Sequence, residues 1–273
     1  MLRTVRPVHR SSGRTGFACG VVSLAVAVLA PALVTTFAHP AQAVELRVLA
    51  AGAVEATVHD MVGQFERQSG HTVKLSYGAV GALRDQIYAG EPADLTIVTP
   101  VIVEQLQGKG LVLPETRTDL GRVGGGIAVR LGAPRPAIGT VAELKQALLA
   151  AEHVYYADPA TATAGAYFMQ VADKLGIGEA VRRKGRTAPG GKEAMQLLAQ
   201  DPGNAIGVTQ ASEIVAVQEV VLLGPYPGEL QRVTTYTGIL LKRTPHREAA
   251  ADFLKFLTSA PVKARFVKGG YEP

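Results

Sequence analysis

The chain has 273 residues, 28 Lys+Arg against 23 Asp+Glu, and one cysteine. That length accommodates one large domain or two lobes, and a lone cysteine excludes a disulfide framework. Four of the basic residues, Arg3, Arg6, Arg10 and Arg14, fall within the first 43 positions, which hold no acid. The remainder carries 24 basic against 23 acidic groups, which removes the electrostatic case for nucleic-acid binding.

The N-terminal arginines are followed by an apolar run, Val21 to Val34, and then by Ala41-Gln42-Ala43. Positive, apolar and small-residue regions in this order describe a cleavable secretory leader. Pro31 interrupts the run and argues against a membrane anchor, which needs about 20 apolar residues. Residues 1–43 are expected to be removed on export, Cys19 with them, leaving a mature periplasmic chain with no thiol.

Strands and helices then alternate. Glu45 to Ala51 reads as a strand, and Ala56 to Ser69 as a helix whose Val58, Met61, Val62 and Phe65 form one apolar stripe. Gly70 has the place of a C-cap glycine. Thr72 to Tyr77 is a second strand, Gly81 to Ala89 a helix, and Ala93 to Val98 a third strand. Thr99-Pro100 supplies an N-cap and a first-turn proline for a helix reaching Gln107. Gly121 to Arg130, with Gly124-Gly125-Gly126 inside it, reads as a flexible strand leaving the first lobe. Thr140 and Glu143 make a capping box for a helix to Ala151. His153 to Ala157 is a strand, Ala164 to Leu175 a helix, Ala194 to Ala199 a short helix, and Ala205 to Val208 and Glu219 to Leu223 are strands. Arg232 to Lys242 is a candidate return crossing, and Thr244-Pro245 opens the last helix. This alternation implies open, mainly parallel sheets covered on both faces, with ligands bound where strands lead into helices.

Four such loops are built from small residues: Ala50-Ala51-Gly52-Ala53, Gly78-Ala79-Val80-Gly81-Ala82, Asp158 to Gly165, and Pro189-Gly190-Gly191-Lys192-Glu193. Each precedes a helix N-terminus, where free N–H groups and the dipole favour an anion; small residues let it reach the backbone. One such loop is ordinary turn chemistry, but four in one chain point to a shared pocket. Lys192 could pair with the anion and Gln210 could offer an amide; either could equally face water. The run Arg182-Arg183-Lys184-Gly185-Arg186 has no interleaved aromatics and reads as a solvated surface. The triple glycine does not continue into a phosphate-binding motif. Catalytic signals are missing: no G-x-S-x-G elbow, and His59, His71, His153 and His246 lack metal-ligand spacing. Neither a cofactor nor a metal is expected, and the chain reads as a binder rather than an enzyme.

Several segments resemble molybdate-type periplasmic binding proteins of ABC transporters. Val48 to Ala53 is similar to that family's first binding loop and Tyr77 to Leu83 to its second. Gly90-Glu91-Pro92-Ala93-Asp94 resembles its G-x-P-A-D motif. Asp158 to Tyr167, Ala205 to Val208, and the C-terminal stretch from Ala249 to Tyr271 extend the similarity over nearly all of 44–273. The resemblance implies an α/β, type II periplasmic binding protein fold: two α/β lobes with a ligand cleft and two crossing segments, lobe 1 formed by 44–122 and 232–273 and lobe 2 by 123–231. It implies capture of a small anion, molybdate or tungstate by family default, delivery to an inner-membrane ABC permease, and a monomeric protein. The implied contacts are Gly52, Ala53, Ala79, Val80, Ala164, Lys192 and Gln210. The family's serine and tyrosine hydroxyl donors are replaced here by Ala53, Ala79 and Gln210. The same fold with a small organic acid as ligand, and an exported enzyme, are the alternatives.

Overall fold

The computed structural model describes residues 42–272. Apart from Gln42 and Ala43, the expected leader lies outside these residues. None of the described helices is long and apolar enough to cross a membrane.

The first lobe opens with β1 (Glu45–Ala51), a short 3-10 turn at Gly52–Val54, α1 (Glu55–Ser69), β2 (Thr72–Gly78), α2 (Val80–Tyr88), β3 (Leu95–Val98) and α3 (Pro100–Gly108). α1 buries the expected stripe, Val58, Met61 and Phe65, and ends at Gly70 with φ 75°. Thr99 caps α3 by position, but its side chain makes no capping bond. β4 (Thr118–Arg130) then runs out of this lobe.

The second lobe contains α4 (Val141–Ala150), β5 (His153–Ala157), α5 (Thr163–Lys174), α6 (Gly178–Lys184), β6 (Gly185–Ala188), α7 (Gly191–Gln200), β7 (Ala205–Gln210), α8 (Ala211–Val215) and β8 (Val220–Pro225). β9 (Val233–Leu240) returns to the first sheet, followed by α9 (Arg247–Leu257) and α10 (Ala260–Lys268). Sequence periodicity missed β6 and α8 and merged α9 with α10. The basic run ends α6 and passes directly into β6, whose Gly185 aligns with Val154 of β5. The last stretch starts its helix at Arg247, after a turn in which the Thr244 hydroxyl donates to Asp94 and accepts from His246 N–H.

The strand order is β2-β1-β3-β9-β4-β7-β5-β6, with β8 also on β4. β1 is parallel to β2 and β3, and β5 to β6 and β7. β4 and β9 are antiparallel to every partner, so the sheets are mixed rather than mainly parallel. The reason is topological, since crossing strands must leave and return. β4 pairs with β9 through Thr118–Gly124, and with β7 and β8 through Gly125–Arg130. Its three glycines sit at the changeover. A Cβ on Gly124 would come within 2.1 Å of Gln231 Nε2, and one on Gly125 within 2.3 Å of Tyr226. They serve close packing rather than flexibility.

One apolar core built around Leu46, Ile97, Leu106, Phe253 and Phe266 fills the first lobe. Two cores cover the faces of the second sheet, one around Phe168 and Leu148, the other around Met195 and Leu198. Buried acids act as rivets. Asp94, the last residue of the G-x-P-A-D motif, accepts Arg47 N–H at 2.7 Å and the Thr244 hydroxyl at 2.5 Å, tying β1, β3 and the approach to α9 together. Asp201 accepts from Tyr155 Oη at 2.9 Å and lies 2.8 Å from His153 Nδ1. Burial pushes the Asp201 carboxyl up, but the Gly203 N–H, His153 and Tyr155 outweigh it and hold it below its ordinary value.

Asp94→Ala should lower stability by about 3 kcal/mol in urea titrations, because two buried donors lose a charged acceptor. For Asp201 the folded pKa is depressed, so its contribution is present above the unfolded carboxylate range and lost as pH falls through the folded value. Asp201→Asn should therefore flatten the acid limb of stability against pH, read from thermal midpoints.

Candidate functional site

The carboxyl ends of β1, β2, β5 and β6 each lead into the N-terminus of a helix, and the four loops meet at one cleft. The cleft has a volume of about 140 Å³, below the roughly 300–1,000 Å³ of pockets for drug-sized ligands, so it suits a small ligand. Gly52, Ala53, Ala79, Val80, Ala164 and Gln210 all line it.

The helix ends here are bare. Val54 before α1, Ala79 before α2, Ala162 before α5 and Gly190 before α7 provide no side-chain cap. Away from the cleft, α3, α9 and α10 also lack side-chain caps, while Thr140 caps α4 with a complete box, its Oγ1 accepting from Glu143 N–H at 3.2 Å. Leaving first-turn N–H groups uncapped costs helix stability of about 1 kcal/mol each and leaves donors for something else. Glycine is required at two close approaches. A Cβ on Gly165 would fall 1.9 Å from Ala157 O, and one on Gly191 2.0 Å from both Glu213 Oε2 and Thr209 Oγ1.

Lys192 is not among the lining residues. Its ammonium lies 2.7 Å from Glu55 Oε1, at the start of α1, so the chain's expected anion partner is engaged in an ion pair between the lobes. A second link between lobes is Gly81 N–H donating to Thr161 O at 3.0 Å. Gln210 is buried; its Nε2 donates to Thr234 Oγ1 at 3.0 Å, while its Oε1 has no partner.

Sequence reasoning missed the acids and phenols of the cleft: Glu55, Glu193, Glu213, Tyr77 and Tyr236. Glu213 is 8% exposed, and its Oε2 accepts from the Thr209 hydroxyl at 2.5 Å and from Gln210 N–H at 3.4 Å. Burial pushes its carboxyl up and nearby Glu193 adds to this, outweighing the Thr209 hydroxyl and the Gln210 and Gly191 N–H groups, which favour the ionised form. Burial also raises Tyr77 and Tyr236, with Glu55 and Glu213 respectively adding to the shift. The only local signal for Glu213 was its place three residues after Gln210, which reads as a helix cap and not as a cleft residue. Tyr271 near the C-terminus holds the first loop by donating to Ala53 O at 2.7 Å.

A larger depression of about 690 Å³ borders Val44, Arg47, Asp94 and His246, where the chain runs into β1 and β3. Open α/β sheets bind ligands at the opposite strand ends, and Asp94 is spent there on structural bonds. Among the described residues, no group of three or more His, Cys, Asp or Glu could hold a metal ion.

Residues 46–272 match the family model for bacterial extracellular solute-binding proteins. The chain belongs to this family. It is a solute-binding protein of the ABC-transporter class, and the resemblance to molybdate-type members holds. The molybdate-binding protein ModA of Azotobacter vinelandii is 30% identical over 224 residues, 79% of this chain and 86% of that one. A protein named aconitate isomerase from a Pseudomonas species is 28% identical over 236 residues, 84% of this chain and 87% of the relative. The fold is similar to the sulfate-binding protein SubI of Mycobacterium tuberculosis, with a TM-score of 0.70 at 18% identity, covering 84% and 87% of the two chains.

A Cβ on Gly81 would lie 2.8 Å from Thr161 O. Gly81→Ala should therefore hold the lobes apart, giving a larger radius of gyration in small-angle scattering.

Proposed function

We propose that this chain is the periplasmic, exported binding component of an ABC importer, that it captures a small anion in the interlobe cleft, and that it acts as a monomer without turnover. The lobes that would close on the ligand are 44–122 with 232–273, and 123–231. The observation that carries this reading is the convergence of four uncapped helix N-termini on a small cleft. Closure around a ligand is a hinge motion, and a ligand that binds the closed form better shifts the population toward it.

Within that class we assign the ligand to small carboxylates ahead of molybdate or tungstate. A tetrahedral metal oxyanion only accepts hydrogen bonds, so it needs donors on every side. Here Ala53, Ala79 and Gln210 stand where the molybdate-type resemblance implies hydroxyls, and the lining sets the acceptors Glu193, Glu213 and the unpartnered Gln210 Oε1 against the hydroxyls of Tyr77, Thr163 and Tyr236. A hydroxycarboxylate accepts through its carboxylate and donates through its hydroxyl. The relative named aconitate isomerase, whose name refers to a polycarboxylate, supports the same class.

That relative also favours a second reading, an isomerase that moves a proton between carbons of a bound polycarboxylate, with a cleft carboxyl as proton carrier. The two readings separate in deuterated water. Turnover would place deuterium on carbon, visible by proton NMR, whereas binding alone leaves the ligand spectrum unchanged.

A thermal-shift screen with citrate, malate, succinate, aconitate, sulfate, molybdate and tungstate tests the assignment. A true ligand at a hundredfold excess over its Kd should stabilise the protein by about 2.7 kcal/mol. The expected result is a shift with a carboxylate and none with the metal oxyanions. A shift with molybdate or tungstate alone overturns the carboxylate assignment, and no shift with any anion overturns the anion reading.

A further inference from the structure

We propose that Glu213 is a binding residue that meets the anion as a neutral carboxylic acid, its O–H replacing the hydroxyls missing at positions 53, 79 and 210. The proposal rests on the anion reading above and assigns a role to a side chain that neither the loop pattern nor the family resemblance singled out.

The two carboxyl oxygens of Glu213 are unlike. Oε2 is occupied on the second-lobe side by Thr209 Oγ1 and Gln210 N–H, packed close against Gly191, whose N–H also donates to the carboxyl. Oε1 lies toward the other lobe, 3.5 Å from where a Cβ on Gly52 would stand. The carboxyl therefore bridges the cleft floor, one oxygen anchored and the other beside the first binding loop. With Oε2 accepting two hydrogen bonds, a proton on the group belongs on Oε1, the oxygen nearest the anion.

The surroundings supply no compensating cation. From α7, Glu193 faces the group; from β9, Tyr236; and from the C-terminal segment, Tyr271. The nearby lysine, Lys192, is held by Glu55 across the cleft. Among the described residues, no lysine, arginine or histidine forms an ion pair with Glu213. An anion on the N–H groups at Ala53, Ala79 and Ala164 sits beside this buried carboxyl. Two adjacent negative charges in a desolvated site force one of them to take a proton. Burial already pushes Glu213 in that direction. The buried, unpartnered Gln210 Oε1 next to it lines the same cleft, and a protonated Glu213 adds a donor there to the phenols of Tyr77, whose Oη is also buried and unpartnered, and Tyr236.

Isotope-edited infrared spectroscopy of the purified protein, with succinate and malate as probes at about pH 8, well above the ordinary carboxylate range, reads the state of Glu213 directly. The expected result is a protonated carboxyl band in the complex that is absent from Glu213→Gln. Calorimetry over a pH series should show probe affinity falling about tenfold per pH unit once Glu213 ionises in the free protein, and a flat profile in Glu213→Gln, which keeps an N–H donor. An ionised Glu213 in the complex, or an unchanged pH profile in the glutamine variant, overturns the proposal. The wild-type infrared band decides the matter even where the variant does not fold. Failure of both probes and every other anion to bind removes the anion reading and this proposal together, whereas binding with an ionised Glu213 removes this proposal alone.

Discussion

The cleft exists because one strand belongs to two sheets. β4 hydrogen-bonds to β9 through its first half and to β7 and β8 through its second, and the change of partner takes place at Gly124 and Gly125. There the side chains of Gln231 and Tyr226 occupy the space a Cβ would need. Close packing at this point lets the outgoing strand and the incoming segment at Arg232 lie against each other, with Gly125 N–H 3.4 Å from Arg232 O. The two lobes are thus joined at a narrow crossing, while the carboxyl ends of their parallel strands face one another.

What faces the cleft is mostly backbone. Val54, Ala79, Ala162 and Gly190, which precede α1, α2, α5 and α7, supply no side-chain cap, so the positive ends of four helices point at the cleft, with Gly81 N–H of α2 bonded to Thr161 O and Gly191 N–H of α7 to Glu213. Acids nevertheless line the same space. Glu55 is neutralised by Lys192. Glu213 has hydrogen-bond donors but no cation, so its charge and that of a bound anion compete for one set of helix dipoles. The anion reading and the protonation of Glu213 are two sides of that competition.

The molybdate-type resemblance is carried largely by residues that hold the scaffold. Asp94 of the G-x-P-A-D motif is buried and binds Arg47 and Thr244, far from the cleft lining. Tyr271 near the C-terminus pins the first loop through the Ala53 carbonyl. Such residues serve the fold whatever the ligand. Positions 53, 79 and 210, where ligand chemistry is decided, depart from the pattern, which is why relatives named for molybdate binding and for aconitate isomerisation both match this chain.

Read alone, the chain determined its alternation of strands and helices, the buried stripe of α1, the glycine that ends it, the capping box of α4 and the four small-residue loops. Each of these is encoded within a few consecutive residues by periodicity, propensity or cap chemistry. Tertiary structure alone decided the rest. β6 is a four-residue, largely exposed strand that exists because β5 offers it an edge. α9 and α10 separate because Ser259 and Pro261 restart the helix against the first-lobe core. Lys192 turns from ligand candidate to ion-pair partner because Glu55, 137 positions away, arrives beside it. Glu213 reads locally as a helix-capping acid. It becomes a cleft residue only when Gly52, from the far end of the chain, is folded against it, since a charge takes its meaning from groups that sequence spacing does not bring together.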